Sequence, residues 1–329
     1  MYVVSAELTP TKLPLPPVGQ VANAEPPPEA DRDSLLSSYY ELRRRAVQES
    51  EAGHLEATLR LCSEARRVAE QIGDQELIDQ AYCNYSELAT VLGHPVEIAR
   101  LRELLMRNPT YGISFSAAYQ LAYGFSKQKE HKKALFYARI ACDRAVASGN
   151  VEYIAKSYNE IGNCLLAESY FEEAIAEYEK ALKLVPGEAS VFHVAIFVNL
   201  GYCRIVQGEL ADGFRNLYEA LRWCRRHPTA NVYEAWAHLA LACGFSELRR
   251  WCYAWKHGRR GLELAESVGS PDAVKTGLYL MGEIEKSAGD VDAAYHYYSR
   301  MQQEFYPDLN NLAGAMLFLE TKQLVNLRA

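Results

Sequence analysis

The chain has 329 residues, 49% of them apolar and 23% charged, which is enough material for a long buried core and excludes a wholly disordered chain. Lys and Arg number 35 against 42 Asp and Glu, a formal charge of -7, so the chain as a whole is not built to coat nucleic acid. Only a local basic patch is compatible with that balance. The eight cysteines, Cys62, Cys83, Cys142, Cys164, Cys203, Cys224, Cys243 and Cys252, lie singly in apolar stretches with no CxxC pair. They fit neither a disulfide framework nor a zinc site and read as small buried hydrophobes of a reducing, cytoplasmic compartment. Residues 1–20 lack a basic start followed by an apolar block, and no run reaches the roughly 18 apolar residues of a membrane span, so neither a leader nor a membrane anchor is expected.

The first 33 residues hold Pro10, Pro14, Pro16, Pro17, Pro26, Pro27 and Pro28, seven of the chain's 13 prolines. Proline fixes φ and removes a donor, and the stretch has little apolar surface, so residues 1–33 are expected to be a disordered proline-rich tail. An extended solvated leader is the simplest reading; a ligand for an SH3-like groove is the alternative.

From Ser34 the composition changes to Ala, Leu, Tyr, Glu and Arg with apolar residues at three- and four-residue spacing. Breaks fall at Gly53, Gly73-Asp74, Gly93-His94-Pro95, Asn108-Pro109, Gly149-Asn150, Pro186-Gly187, Gly208, His227-Pro228, Gly269-Ser270-Pro271, Gly289-Asp290 and Tyr306-Pro307. The pattern predicts an all-α chain of helices of about 13 to 20 residues joined by short turns, which makes neighbours antiparallel.

The breaks recur because the chain repeats. Tyr158, Ile161-Gly162 and Leu165, followed by Tyr170-Phe171, Ala174, Tyr178, Ala181 and Pro186, make the clearest unit. Weaker copies contain Ala118 with Leu121-Ala122, Phe197 with Leu200-Gly201, Trp236 with Leu239-Ala240, and Leu278 with Met281-Gly282. The small residue on each first helix falls at Ala46, Ser86, Ala122, Gly162, Gly201, Ala240 and Gly282, with spacings of 40, 36, 40, 39, 39 and 42. Small residues at these places let a partner helix approach closely, and Tyr158, Phe171 and Tyr178 fill the remaining space.

This pattern resembles the tetratricopeptide repeat, whose signature is an aromatic, Leu-Gly and a bulky residue on the first helix, then Ala, an aromatic and Ala on the second, closed by Pro. The period exceeds the roughly 34 residues of the shortest family members, which implies helices longer by about a turn per pair, and is similar to the long-repeat form of bacterial regulatory tetratricopeptide proteins. The resemblance spans about residues 39–307 and implies a right-handed superhelical solenoid of about seven antiparallel helix pairs over 34–307, with residues 308–329 as a C-terminal capping helix. Leu312, Met316, Leu319, Leu324 and Leu327 share one side of a helix predicted from Leu309 to Leu327. A helix leading into a further domain, or docking on a second copy to make a homodimer, is the alternative to a cap.

No HExxH, GxxxxGK[ST], GxSxG or GxGxxG constellation is present, and no two of the eight histidines pair at i, i+4, so no enzyme activity, cofactor or metal is expected. The resemblance instead implies a concave groove, lined by first helices, that holds an extended or helical peptide. Carried onto this chain, the position before the signature Leu is Asn84, Gln120, Glu160, Asn199 and His238, a polar ladder that Asn159 and Asn163 extend. A carboxamide offers donor and acceptor together and so can match an extended backbone. Tyr119, Tyr123, Tyr202 and Tyr279 add aromatic area beside it. The groove therefore comprises Asn84, Gln120, Tyr123, Asn159, Asn163, Asn199, Tyr202 and His238; the alternative is that these groups only keep an empty groove wet. The family's carboxylate clamp is not expected, because Asn159, Glu234 and His238 stand where it needs cations.

Between Arg204 and Arg260, ten cations face five carboxylates, and Trp223, Trp251 and Trp255 interleave with them. Arg222, Arg225, Arg226, Arg249, Arg250, Arg259 and Arg260 form a candidate basic patch for acidic peptides, phosphates or bases. The alternative is a solvated second-helix face over core tryptophans. The sequence thus points to a non-catalytic interaction scaffold or adaptor binding a protein or peptide partner. The alternatives are a sensory or regulatory module controlling a signalling or transcriptional effector and, less favoured by the charge balance, nucleic-acid binding through that patch.

Overall fold

The computed structural model describes residues 29–51, 54–94, 97–107, 109–184, 191–226, 231–319 and 326–327. Among them there are fifteen helices and no strand. They are α1 (Glu29–Glu51), α2 (Leu55–Ile72), α3 (Gln75–Val91), α4 (Ile98–Met106), α5 (Tyr111–Lys127), α6 (His131–Ser148), α7 (Val151–Ala167), α8 (Phe171–Leu184), α9 (Val191–Val206), α10 (Leu210–Cys224), α11 (Asn231–Glu247), α12 (Trp251–Ser267), α13 (Pro271–Ala288), α14 (Val291–Phe305) and α15 (Leu312–Phe318). The residues fall into two compact units divided inside α7, between Ser157 and Tyr158.

Several turns follow one chemical device. Gly73, Gly149 and Gly289 take the left-handed conformation that ends a helix, and the next residue opens the following one. Asp74 accepts from the backbone N–H of Glu76 and Leu77, Asp290 from that of Ala293, and Asn150 from that of Tyr153. Three further turns, after α5, α7 and α11, carry no sequence break. Lys129, Ser169 and Arg249 occupy the left-handed region there at φ of 60°, 66° and 51°, so glycine punctuation alone does not reveal them.

In the first unit α1 packs on α2, α2 on α3, both α3 and α4 on α5, and α5 on α6. In the second unit each helix from α8 to α15 packs on the next, and α9 also packs on α11 and α11 on α13. Within each unit, first helices of successive pairs therefore pack on one another (α3 on α5, α9 on α11, α11 on α13), as the repeat pattern predicts. All seven recurring small residues lie on the first helices, and all are buried. At Gly162 a side-chain carbon would stand 2.7 Å from the ring of Tyr178, and at Gly201 one would stand 2.7 Å from Leu217. These contacts are too short for carbon, so α8 and α10 pack as they do because α7 and α9 carry no side chain there.

Two boundaries differ from expectation. Helix α1 takes in residues 29–33, which were expected in the tail; Asp31 and Asp33 are acidic residues suited to the first turns of a helix. Residues 1–28, which contain all seven prolines of the expected tail, lie outside the described residues, as do the expected breaks at Gly53, Asn108 and Pro186-Gly187. Of the helix predicted from Leu309 to Leu327, only Leu312–Phe318 is helical among the described residues. It packs on α14, burying Ala313 and Met316. Its end is held by Lys286 of α13, whose Nζ donates to the carbonyls of Met316 (3.1 Å) and Leu319 (3.0 Å) and to Glu283 Oε1 (2.7 Å). A cation among last-turn carbonyls matches the negative end of the helix.

Candidate functional site

In the unit that ends at Ser157, the predicted groove residues are largely spent on the fold. Gln120 is buried, and its Nε2 donates to the Cys83 carbonyl at 3.0 Å, fastening α5 to α3. Asn84 accepts from Gln80 at 3.1 Å. It also faces a cavity of about 150 Å³ shared with Tyr39, Arg43, Cys62 and Glu87. Burial pushes the Cys62 thiol up to about 11 and raises the Glu87 carboxyl above the ordinary carboxylate range. Tyr123 is half-buried with the Lys127 ammonium 5.6 Å from its ring centre.

In the unit from Tyr158 onward, the predicted ladder closes into a hydrogen-bonded network. Asn163 donates to Glu160 Oε2 (3.1 Å), while its Oδ1 accepts from Tyr178 OH (2.9 Å) and from Asn199 Nδ2 (3.0 Å). Asn163 and Asn199 thus tie α7, α8 and α9 together. Glu160 is buried beside them, and burial raises its carboxyl, with the Asn163 bond opposing part of that rise. Asn159 is buried with its Oδ1 making no hydrogen bond. His238 stands Nδ1 to Nδ1 against His257 at 2.8 Å, with Glu234 4.0 Å from its Nε2. Burial, then the neighbouring His257, then Arg260 push His238 down to about 4; burial and Lys256 also lower His257. One neutral ring therefore donates to the other, and neither points a spare amide-like pair at a ligand.

The open space of this unit lies further along the same first helices. A cavity of about 750 Å³ is lined by Tyr202, Ile205 and Val206 of α9, Cys243, Ser246 and Glu247 of α11, and Tyr279, Leu280, Glu283 and Ser287 of α13. Of the predicted groove set, Tyr202 alone lines it. Tyr279, marked in the sequence as neighbouring aromatic area, lines it too. The others do not stand before the signature Leu; they lie largely in the C-terminal halves of α9, α11 and α13. The recurrence of Tyr202 and Cys243, of Ile205, Ser246 and Ser287, and of Val206 and Glu247 at intervals of 41 is the sequence signal that could have found them. Glu283 is buried at the cavity wall, where it accepts from Tyr298 OH (2.5 Å) and from Lys286.

Three cations of the basic patch are ion-paired. Arg222 pairs with Glu219, Arg259 with Glu263 and Arg260 with Glu234. Arg225 and Arg226 close α10, and Arg249 and Arg250 lead into α12. Trp223 and Trp255 carry Arg226 and Arg259 over their rings, each at 5.3 Å. Among the described residues no three His, Cys, Asp or Glu side chains are placed to hold a metal ion. No helix among them is long and apolar enough to cross a membrane.

Solved structures share the arrangement. The apo form of the quorum sensor NprR from B. thuringiensis matches with a TM-score of 0.67 at 14% identity, over 89% of this chain and 83% of that one. The apo form of RapI matches with a TM-score of 0.63 at 14% identity, over 85% and 98%. A Rap conjugation gene regulator of the plasmid pLS20, in complex with the Phr* peptide, matches with a TM-score of 0.60 at 12% identity, over 94% and 81%. The fold is tetratricopeptide-repeat-like. No family model matches the sequence, and no curated protein does. In this tetratricopeptide-like frame the cavity belongs to the first helices, and the Asn163–Asn199 network sits between tetratricopeptide units as part of their packing.

Proposed function

We propose that this chain is a non-catalytic adaptor that binds an extended segment of a partner protein in the cavity between α9, α11 and α13. The observation that carries the reading is the cavity itself: about 750 Å³ between successive first helices, walled by Tyr202 and Tyr279, with Ser246, Glu247 and Glu283 as polar points among aliphatic side chains. Aromatic walls with a few fixed polar groups suit a peptide, whose side chains need apolar area and whose backbone needs donors and acceptors. The wall bearing Glu247 and Glu283 disfavours a carboxylate-rich ligand.

A regulatory role for the same binding event is the second reading. It is favoured by the similar structures, one a regulator in complex with a peptide and another a quorum sensor. In such a module, peptide binding biases the packing of neighbouring helix pairs, which contact only their neighbours. Nucleic-acid binding is the least supported reading, since three of its seven cations are already paired. Cytoplasmic residence and α15 as an end cap stand as parts of the proposal, with a homodimer through that region as the alternative to the cap.

Selection of random extended peptides on the wild-type chain tests the reading against Val206→Trp, which fills the cavity from an exposed position. Peptides enriched on the wild type should lose binding to the variant at unchanged helicity. Equal binding to both chains would refute the site.

A further inference from the structure

Residues 326–327 return to the second unit and are held there by its first helices. Asn326 Nδ2 donates to the Leu166 carbonyl at 2.6 Å and to Ser169 Oγ at 3.1 Å, and its Oδ1 accepts from Tyr202 OH at 3.4 Å. The backbone N–H of Leu327 donates to the Tyr202 hydroxyl oxygen at 3.0 Å, and its carbonyl accepts from Thr276 Oγ1 at 3.2 Å. The Leu327 side chain packs on the core of this unit and borders a small, mainly apolar recess together with Val198, Trp236, Leu239 and Ala240. Both residues also border the large cavity. These contacts bridge separations of up to 160 residues, so no local turn or helix rule produces them.

The chemistry is that of a reader. Main-chain donor and acceptor are both engaged, one side chain is read by hydrogen bonds and the next by apolar fit, as when a peptide is bound. The carboxamide is specified in charge as well as in shape. Leu166 O is a last-turn carbonyl of α7, a partially negative position that takes a donor and repels a carboxylate.

We propose that this place is a recognition subsite for a carboxamide residue followed by an aliphatic one in a partner segment, and that Asn326–Leu327 is its resident, intramolecular ligand. The inference rests on the reading of the adjoining cavity as a peptide site and adds what the peptide carries: an Asn–Leu pair or its close equivalent. A partner with that pair competes with a segment already tethered in place, whose effective concentration is on the order of millimolar. The resident pair therefore sets a threshold that a partner must exceed.

A fluorescein-labelled peptide with the sequence of residues 322–328 is the probe, with a counterpart carrying aspartate at the asparagine position. It is titrated by anisotropy into the wild-type chain, into Asn326→Ala/Leu327→Ala, and into that variant with Tyr202→Phe/Thr276→Val added. The peptide should bind the released variant at least about tenfold more tightly than the wild type. The aspartate peptide should bind at least about tenfold more weakly, and the added hydroxyl deletions should abolish binding. Should the double variant unfold, Asn326→Asp alone keeps Leu327 at the recess and should also raise peptide affinity. Equal binding to wild-type and released chains, or equal binding of the two peptides, overturns the proposal. Peptide display on the released variant separates the two levels. A consensus without the carboxamide–aliphatic pair that still loses binding in Val206→Trp sinks this inference and leaves the cavity reading intact, whereas no enrichment and no peptide binding sink both.

Discussion

Replacing Gly162 by alanine adds one carbon to the place where α7 and α8 approach most closely. That carbon would stand 2.7, 2.9 and 3.0 Å from Cε1, Cδ1 and Cζ of Tyr178, where about 3.5 to 4.0 Å is comfortable. The ring must retreat by nearly an ångström, yet it is fully buried and its hydroxyl is tied to Asn163 at 2.9 Å. Overpacking of this kind costs about 1–3 kcal/mol, and straining the hydrogen bond adds up to about 1 kcal/mol. Alanine returns about 1 kcal/mol through its higher helix propensity, which leaves a net loss of up to about 3 kcal/mol. Gly112 provides the control: a carbon there meets only Tyr153 at 3.9 Å, so Gly112→Ala should be neutral or stabilising by a few tenths of a kcal/mol. Urea unfolding followed by circular dichroism reads both, and Tyr178→Leu should restore part of the loss in the Gly162→Ala background. If Gly162→Ala unfolds at or above the wild-type midpoint, the recurring small residues do not mark close helix contacts and the packing argument fails.

Other consequences are independent of that one. His238 sits below its ordinary value of 6.5, at about 4, so its contribution is complete above pH 6.5 and is lost as the pH falls through that interval; the shift corresponds to roughly 3 kcal/mol. His238→Gln should flatten the dependence of the urea midpoint between pH 7 and pH 4.5, and an unchanged slope would count against the buried neutral pair. Lys286→Met removes the cation from buried Glu283 and from the end of α15, and should cost about 3 kcal/mol. Adding Glu283→Gln should recover much of that loss, whereas strictly additive losses in the double-mutant cycle would show that the two groups act separately. Lys129, exposed at φ 60°, pays for a left-handed turn, and Lys129→Gly should raise stability by up to about 1 kcal/mol in the same assay; a loss would place its side chain in an interaction that the turn needs.

The fold was legible because its cause is local and repeated. Gly162 and Tyr178, like Gly282 and Tyr298, recur at a fixed interval, and the side chain missing from one is the space filled by the other. Gly73-Asp74 and Gly289-Asp290 announce the end of one helix and the start of the next within two residues. The turn at Arg249 was silent, since an ordinary residue takes the left-handed conformation there. The site was only partly legible, because a polar residue on a first helix looks the same whether it faces a ligand or a neighbour. Asn163, Asn199 and Gln120 satisfy one another or the backbone across helices, with partners 36 and 37 residues away. Tyr202 was found from its place on the inner stripe. Its partners Asn326 and Leu327 were not, since nothing near residue 326 in the sequence refers to residues 166, 202 or 276.

Amide hydrogen exchange at Leu327 tests the central claim most directly, because that N–H is donated to Tyr202 in the occupied state. In the wild-type chain it should exchange at least about tenfold more slowly than in a free peptide of the same sequence. Protection should disappear in Tyr202→Phe/Thr276→Val and on addition of saturating peptide with the sequence of residues 322–328. Exchange at the free-peptide rate in the wild-type chain would contradict it.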